Sequence, residues 1–136
     1  WQVKEFKGRT GIHCHFYNEM NGFELDLERS TTVFRIFQET LTNIARHSKA
    51  TDVDVKLYTN EKNINLQVRD NGCGITADQI QNLRSLGLLG MRERAMVWGG
   101  NVEIQGIPKG GTTVTINIKK DGNGKNEREN QSNYSG

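Results

Sequence analysis

The longest amphipathic segment of the chain runs from Phe34 to His47. Its apolar residues recur at intervals of three and four, which predicts a helix with one packed face. The opposite face carries Glu39 and Asn43 one turn apart, with His47 at the next turn and Arg46 beside it. Carboxylate and amide oxygens suit a hard cation, and arginine and histidine suit phosphate oxygens. An ordinary solvated face is the simpler interpretation, and this helix alone does not decide between the two.

Alternation of apolar and polar residues predicts strands on both sides of this helix. The Asn21-Gly22 pair is a strong turn signal, so the first two strands are expected to form a hairpin. On the first strand His13 and His15 point outward, and with no third ligand nearby a solvated pair is favoured over a metal site. The six predicted strands span residues 9–17, 23–27, 53–58, 64–69, 101–105 and 112–118.

Capping signals indicate where the helices begin. A hydroxyl residue within 30–32 is expected to cap the long helix. Thr76 and Gln79 form a capping box, which predicts a second helix that ends near Gly87. The apolar spacing over residues 91–98 predicts a third helix.

Two polar residues fall on the inward-facing side of predicted strands, each at a strand end. Asp70 continues the apolar side of the strand before it, and Thr112 opens the apolar side of the last strand. A buried carboxylate is costly unless a donor hydrogen-bonds to it. We therefore expect Asp70 and Thr112 to meet across neighbouring strands.

Two glycine-rich runs follow. Asp70-Asn71-Gly72-Cys73-Gly74 allows a sharp turn and a close approach of a ligand to the main chain, although such runs also occur in plain turns. Gly87-Leu88-Leu89-Gly90 leads into a helix, whose free N–H groups suit phosphate. Arg92 in the first turn opposes the helix dipole unless an anion binds there, but a surface arginine is equally consistent.

Composition narrows the class of protein. The 136 residues are enough for one domain with a core, and the net charge of +2 comes from scattered basic residues, which argues against nucleic-acid binding. Cys14 and Cys73 fit no metal-ligand spacing, so a reduced, cytoplasmic protein is expected. No apolar run is long enough to cross a bilayer, so no direct membrane contact is expected.

The ends of the chain differ from its middle. We expect residues 1–8 to be a linker, an N-terminal extension or an added strand, and residues 9–120 to be the folded domain. Residues 121–136 have almost no apolar side chains, which predicts a disordered tail. The first residue is Trp, which suggests a piece of a longer protein whose other parts could be membrane-anchored.

The order of these motifs resembles the ATP-binding catalytic domain of two-component sensor histidine kinases, which has the Bergerat fold of GHKL-type ATPases. It is most similar to the subgroup that partners response regulators with helix-turn-helix output domains. The resemblance rests on Phe34–His47 as the N box, Asp70–Gly74 and Gly87–Ala95 as the two glycine boxes, and Gly111-Thr112 as the terminal motif. Four motifs in order are far more specific than any one of them.

The resemblance implies an α+β fold, a two-layer α/β sandwich with a mixed, mostly antiparallel sheet and about three helices on one face. It implies ATP and Mg²⁺ as ligands. Asp70 would accept a hydrogen bond from the adenine amino group, supported by Thr112, and Asn43 would ligate Mg²⁺. Glu39 would be the catalytic residue and would help to place the metal directly or through water. The other nucleotide-binding residues implied are Gly72, Gly74, Gly87, Leu89, Gly90, His47, Lys49 and Arg92.

The resemblance also implies partners. The γ-phosphate would pass to a histidine on a separate dimerising helical domain, and from there to a response regulator. That histidine would lie in a His-Asp or His-Glu motif, and no histidine of this chain precedes an acidic residue. The fragment is therefore expected to be a monomer taken from a homodimeric parent. The alternatives are an anti-sigma-factor serine kinase, against which Gly90–Arg94 argues, and a nucleotide-binding module without kinase activity. A mechanochemical ATPase of the same superfamily, such as a gyrase or chaperone, would need a transducer domain for which this chain has no room.

We predict that the isolated chain binds ATP with Mg²⁺ but shows little or no autophosphorylation, because the phosphoacceptor histidine is missing. Incubation with γ-labelled ATP, followed by acid and base treatment of the labelled chain, measures this. A stable, acid-labile phosphohistidine on this chain alone would show that the prediction is wrong.

Overall fold

The computed structural model describes residues 2–81, 87–107 and 109–121. Within these ranges the sheet order is β1-β2-β3-β5-β4, with β1 and β2 parallel and every other neighbouring pair antiparallel. The predicted α+β sandwich with a mixed, mostly antiparallel sheet is therefore confirmed. The elements are α1 (Gln2–Thr10), β1 (His13–Glu19), α2 (Leu27–His47), β2 (Asp52–Thr59), β3 (Asn63–Asp70), α3 (Ala77–Gln81), α4 (Leu88–Met96), β4 (Asn101–Ile107) and β5 (Gly111–Lys119).

The core lies on one face of the sheet, because every second residue of the central strands is apolar and buried. The buried face of α2 packs onto these side chains, as does that of α4. The core residues of the sheet are Val53, Val55, Ile64, Leu66, Val68, Val102, Val114, Ile116 and Ile118, and those of the two helices are Val33, Ile36, Phe37, Leu41, Ile44, Leu88, Met91 and Ala95.

The long helix starts earlier than predicted. Asp26 is its N-cap, and its side chain accepts a hydrogen bond from the Arg29 N–H at 3.1 Å. Residues 30–32 therefore lie inside α2, and the prediction that one of them caps it is wrong. An aspartate carboxylate caps a free N–H group at a helix start as well as a serine or threonine hydroxyl does.

The predicted hairpin is also wrong. Asn21 and Gly22 do form a turn, with positive φ angles of 53° and 82°. Residues 23–26 form no strand after it, however, because α2 already begins at Leu27. β1 pairs with β2 instead, and the parallel register places His13 opposite Asp52.

The N-terminal segment is a helix rather than a linker or an added strand. It runs to Thr10, so β1 begins at His13 and not at residue 9. Phe6 is only 1% exposed and belongs to the core. β1 itself is a largely exposed edge strand, on which Phe16 is 44% exposed rather than buried as its alternation predicted.

Several local predictions are confirmed. Thr76 and Gln79 form the capping box, with the Thr76 N–H donating to Gln79 Oε1 at 2.8 Å and the Gln79 N–H donating to Thr76 Oγ1 at 3.2 Å. Cys14 packs against the core. Burial, with a smaller effect of the Asp54 charge, raises the pKa of its thiol to about 11. The predicted course of the second helix to Gly87 and the predicted tail, except for Asp121, lie outside the described residues.

Arg29 connects three elements at one edge of the molecule. Its Nε donates to the Lys119 carbonyl at 2.9 Å, and its Nη1 contacts Asp26 Oδ1 at 2.8 Å. The guanidinium also lies 4.5 Å from the centre of the Trp98 ring, whose Nε1 donates to Thr32 Oγ1 at 2.8 Å. Desolvation disfavours the Asp26 carboxylate, but the hydrogen bonds and charge of Arg29 lower its pKa overall.

We predict that Arg29→Ala lowers the free energy of unfolding by roughly 2 to 3 kcal/mol, because it removes the charged hydrogen bond to the Lys119 carbonyl, the ion pair with Asp26 and the stacking on Trp98. Arg35→Ala, an exposed arginine on the same helix, is the matched control and should change stability by less than about 0.5 kcal/mol. Urea unfolding followed by circular dichroism measures both, and equal shifts would contradict the prediction.

Candidate functional site

Asp70 lies at the end of β3 with its carboxylate in the interior. The residue is 3% exposed, on the same side of the sheet as Val68. Its Oδ1 accepts a hydrogen bond from the Gly72 N–H at 2.8 Å, and the carboxylate also accepts from the Thr112 N–H. Burial raises the pKa of Asp70 above its usual value, and these two N–H bonds offset part of the rise. The predicted meeting of Asp70 and Thr112 across β3 and β5 is confirmed.

Thr112 contributes its side chain as well as its backbone. Its Oγ1 accepts a hydrogen bond from the Ile75 N–H at 2.9 Å, which ties the start of β5 to the segment after the first glycine run. Gly111 allows this approach. It has a φ of +95°, and a Cβ there would lie 2.0 Å from the Asp70 carbonyl oxygen. Both residues of the terminal Gly-Thr pair are thus required by the local structure: Gly111 for the close approach and Thr112 for the hydrogen bond.

A cleft opens beside Asp70, between α2, β5 and the segment that leads into α3. It encloses about 530 Å³, including space open to solvent, which is within the range of small-molecule sites. Most of its walls are apolar, so the cleft is a slot for a flat apolar group with a carboxylate at one end. The residues that line it are Thr40, Asn43, Ile44, His47, Ser48, Asp70, Gly74, Ile75, Gln79, Met91, Ile104, Thr112 and Val114.

The polar stripe of α2 divides between two cavities. Asn43 and His47 line the cleft that contains Asp70, whereas Glu39 lines an open groove between α1, α2 and α4. Thr40 and Asn43 line the cleft at the level where Leu41 and Thr42 line the groove, so the two cavities lie on different sides of α2. Lys49 lines neither cavity. It follows the C-terminus of α2 with a positive φ of 55°, and it is exposed.

The first glycine run is packed against backbone on both sides. A Cβ on Gly72 would lie 2.1 Å from the Ser48 carbonyl oxygen, and one on Gly74 would lie 2.3 Å from the Ile107 carbonyl oxygen. The Cys73 N–H between them donates to the Ser48 carbonyl at 2.7 Å. These two glycines are therefore required by the packing of the loop itself, and Gly74 also lines the cleft.

Asn71 fastens the same loop to the connection between α2 and β2. Its Oδ1 accepts hydrogen bonds from the Thr51 and Asp52 N–H groups at 2.9 and 3.0 Å. Its Nδ2 donates to Thr51 Oγ1 at 2.9 Å. The loop after Asp70 and the end of α2 are thereby held as one piece.

The second glycine run forms the N-terminus of α4. Gly87 is the N-cap, with a φ of +65° and no side-chain cap, and a Cβ on it would lie 2.5 Å from Glu39 Oε1. The Glu39 carboxylate thus lies against the start of α4. Leu89 is 50% exposed, and Arg92 is half-buried and lines neither cavity.

The oxygen donors along α2 are of the type that Mg²⁺ takes, although Asn43 lines the cleft and Glu39 lines the groove. In the described ranges no cluster of three or more His, Cys, Asp or Glu side chains forms a complete metal site. Glu39 and Asn43 offer one carboxylate and one amide oxygen, and Mg²⁺ commonly takes one or two protein ligands with substrate phosphates completing its shell.

Among the described helices none is long and apolar enough to cross a bilayer.

A family model decides what kind of domain this is. The model of the histidine kinase-, DNA gyrase B- and HSP90-like ATPases matches residues 28–122, which is more than half of the chain. The chain belongs to this ATPase family. Its recognition as a histidine-kinase-type ATP-binding domain is therefore confirmed, and ATP as its nucleotide follows from the family.

Curated relatives within the family are sensor kinases. The chain is 35% identical over 115 residues to the oxygen sensor histidine kinase NreB of Staphylococcus carnosus, covering 85% of this chain and 33% of that protein. It is 39% identical over 99 residues to the sensor histidine kinase LiaS of Bacillus subtilis, covering 71% and 27%. The chain thus spans about a third of the length of the relatives it matches.

A solved structure supports the fold. The histidine kinase domain of the blue-light activated histidine kinase of Erythrobacter litoralis EL346 superposes with a TM-score of 0.67 at 20% identity. The match covers 85% of this chain and 56% of the solved one. The family's architecture is therefore retained where little sequence identity remains.

Part of the cleft was not singled out from the sequence. Thr40 and Met91 form its floor, where Thr40 Oγ1 donates to the Ile36 carbonyl at 2.8 Å and lies 3.6 Å from Met91 Sδ. Thr40 lies three residues before Asn43 and therefore on the same side of α2, so its spacing could have predicted that it lines the cleft. Ile75 and Gln79 carried none, because the pocket side of a loop or a short helix has no periodicity to reveal it.

We predict that Asp70→Asn changes the pH dependence of stability. Because burial raises the pKa of the folded-state carboxyl above that of the unfolded chain, near 3.9, the wild type loses stability as the pH rises through this interval. Asparagine does not titrate. The stability of the variant relative to wild type should therefore increase from pH 3 towards pH 7, whatever constant cost the altered hydrogen bonding adds.

Urea unfolding at a series of pH values measures this difference. A free energy of unfolding of the variant minus that of wild type that stays constant or falls as the pH rises would show that Asp70 carries no burial-raised pKa.

Proposed function

We propose that the chain binds ATP together with Mg²⁺ and presents the γ-phosphate to a histidine on another domain of its parent protein. From that histidine the phosphoryl group would pass to a response regulator. The observation that carries the proposal is the buried Asp70 carboxylate at the end of an apolar slot. An interior carboxylate held by two backbone N–H groups is costly to keep without a ligand that donates to it.

The adenine end of the cleft is supported by shape and polarity. Ile44, Met91 and Ile104 supply apolar surface suited to the faces of a purine. The exocyclic amino group of adenine is a donor, and an ionised carboxylate offers only acceptors. Thr112 uses its hydroxyl oxygen to accept from the Ile75 N–H, which leaves its hydroxyl hydrogen to donate to a ring nitrogen or a water.

The phosphate end is proposed to lie along α2 towards Glu39. Asn43 would ligate Mg²⁺ through its amide oxygen, and Glu39 would place the metal or a water one turn further along. When bound, Mg²⁺ supplies neutralisation of the phosphate charge. His47 lines the cleft and Lys49 follows it on the exposed side, where both would contact phosphate oxygens. The backbone of Gly87, Leu89 and Gly90 would approach the same phosphates.

The protein's own contribution to transfer is positioning. Phosphoryl transfer needs alignment and charge stabilisation and little covalent work by the ATP-binding domain. His13 and His15 lie exposed on β1 and are not part of the cleft. The acceptor histidine is therefore proposed to belong to a separate dimerising domain, in line with relatives named as sensor histidine kinases that are about three times as long.

Isothermal titration of ATP into the wild-type chain, with and without Mg²⁺, tests the proposal. We expect binding that strengthens with Mg²⁺, a loss of about tenfold or more in Asp70→Asn, and a weaker effect of Mg²⁺ in Asn43→Ala. Asn101→Ala on the exposed strand β4 is the matched amide control and should leave binding unchanged. Absence of ATP binding by the wild type, or equal binding by Asp70→Asn, would sink the proposal.

A further inference from the structure

Two arginines of α4 compete for a role at the phosphate end of the site. Arg92 and Arg94 are two residues apart, so their side chains leave the helix about 200° apart and face different surroundings. Arg94 lines the groove that also contains Glu39. Arg92 lines neither that groove nor the cleft beside Asp70. The helix therefore presents Arg94, and not Arg92, to the Glu39 side.

The guanidinium of Arg94 folds back along α4 towards the second glycine run. A Cβ on Gly90 would lie 3.4 Å from Arg94 Nη1, and a Cβ on Gly87 would lie 2.5 Å from Glu39 Oε1. A carboxylate and a guanidinium thus lie on the same short run, Gly87–Gly90, one near each end. This is the segment whose backbone we propose to contact the phosphates.

The guanidinium N–H groups of Arg94 are available to a ligand at this position. Its side chain is exposed, and no ion pair joins it to another residue in the ranges 2–81, 87–107 and 109–121. Arg9 and Arg35 line the same groove. Arg35 lies one turn of α2 before Glu39, on the side away from Asn43, and Arg9 belongs to α1. Arg94 is the arginine of this groove that lies beside the glycine run.

We propose that Arg94 contacts the terminal phosphate of ATP and is a catalytic residue for phosphoryl transfer. The inference rests on the proposed function. A guanidinium holds phosphate oxygens through two parallel N–H bonds and keeps its charge at every physiological pH. During transfer the bond from Pγ to the β–γ bridging oxygen breaks and its electron pair leaves with ADP. One nitrogen of the neutral acceptor imidazole forms the new P–N bond with its lone pair, and the other nitrogen then releases its proton to water. Arg94 holds the oxygens of the moving group.

The matched pair Arg94→Ala and Arg92→Ala tests the inference. Titration calorimetry with Mg²⁺ gives the affinity of each variant and of wild type for ATP and for ADP, which lacks the terminal phosphate. We expect Arg94→Ala to lower the ratio of ATP to ADP affinity by about tenfold or more while ADP binding stays within about twofold. Arg92→Ala should keep the wild-type ratio, and Arg94→Lys should lie between, since lysine offers one point charge.

Each other outcome overturns the inference. A wild-type ratio in Arg94→Ala, or a lowered ratio in Arg92→Ala alone, assigns the terminal phosphate elsewhere. An equal loss of ATP and ADP binding indicates a structural role. If Arg94→Ala does not fold by circular dichroism, Arg94→Lys decides, and a wild-type ratio there counts against the inference. Asp70-dependent ATP binding with no effect of Arg94 leaves the proposed function standing, whereas no ATP binding by wild type overturns both.

Discussion

The carbonyl oxygen of Ser48, at the end of α2, joins the two halves of the nucleotide cleft. It accepts the Cys73 N–H at 2.7 Å and lies where a side chain on Gly72 would be. Because the contact is between backbone atoms, it holds the end of α2 directly against the loop that follows Asp70. The distance between Asp70 and the polar stripe of α2 is therefore set before any ligand arrives. Asn71 reinforces the junction from the β2 side.

The adenine end and the phosphate end are built differently. The proposed adenine end consists of strand termini, N–H groups and glycines that admit no side chain. The proposed phosphate end instead involves long side chains, with Glu39 beside the uncapped Gly87 and Arg94 beside Gly90. If the proposed function holds, the base would therefore meet mostly backbone groups and the phosphates mostly long side chains. Burial of the Asp70 carboxyl, which raises its pKa, is unfavourable for folding, and such local costs are typical of functional sites.

The sequence predicted those parts whose signals are local and periodic. The strands β2 to β5, the capping box at Thr76 and the inward Asp70 followed from alternation or spacing, as did the buried Phe37, Leu41 and Ile44 of α2. Phe34 and Ala45, which the same spacing placed on the packed face of α2, are exposed. The failures came from tertiary competition. The Asn21-Gly22 turn formed, but no hairpin followed because β1 pairs with β2 and α2 starts at Leu27. Phe6 gave no periodic signal in a short polar helix, and its burial depends on the surface that the rest of the chain offers.

The site could be predicted as a set of motifs but not as a geometry. Asp70 and Thr112 were placed together correctly because strand parity decides where they point. Which of Arg92 and Arg94 lines the groove beside Glu39 was beyond the sequence, because it depends on which side of α4 faces α2. Residues from a loop or a short helix, such as Ile75 and Gln79, become part of the cleft only when remote segments converge.

The first helix affects how this domain should be cut for laboratory work. The family model begins at residue 28, but Phe6 of α1 and Ile12 are part of the core, and β1 covers one edge of β2. A recombinant piece trimmed to the family boundary would lose these three elements of packing. It would expose the hydrogen-bonding edge of β2, a central strand with two fully buried valines, as a template for self-association.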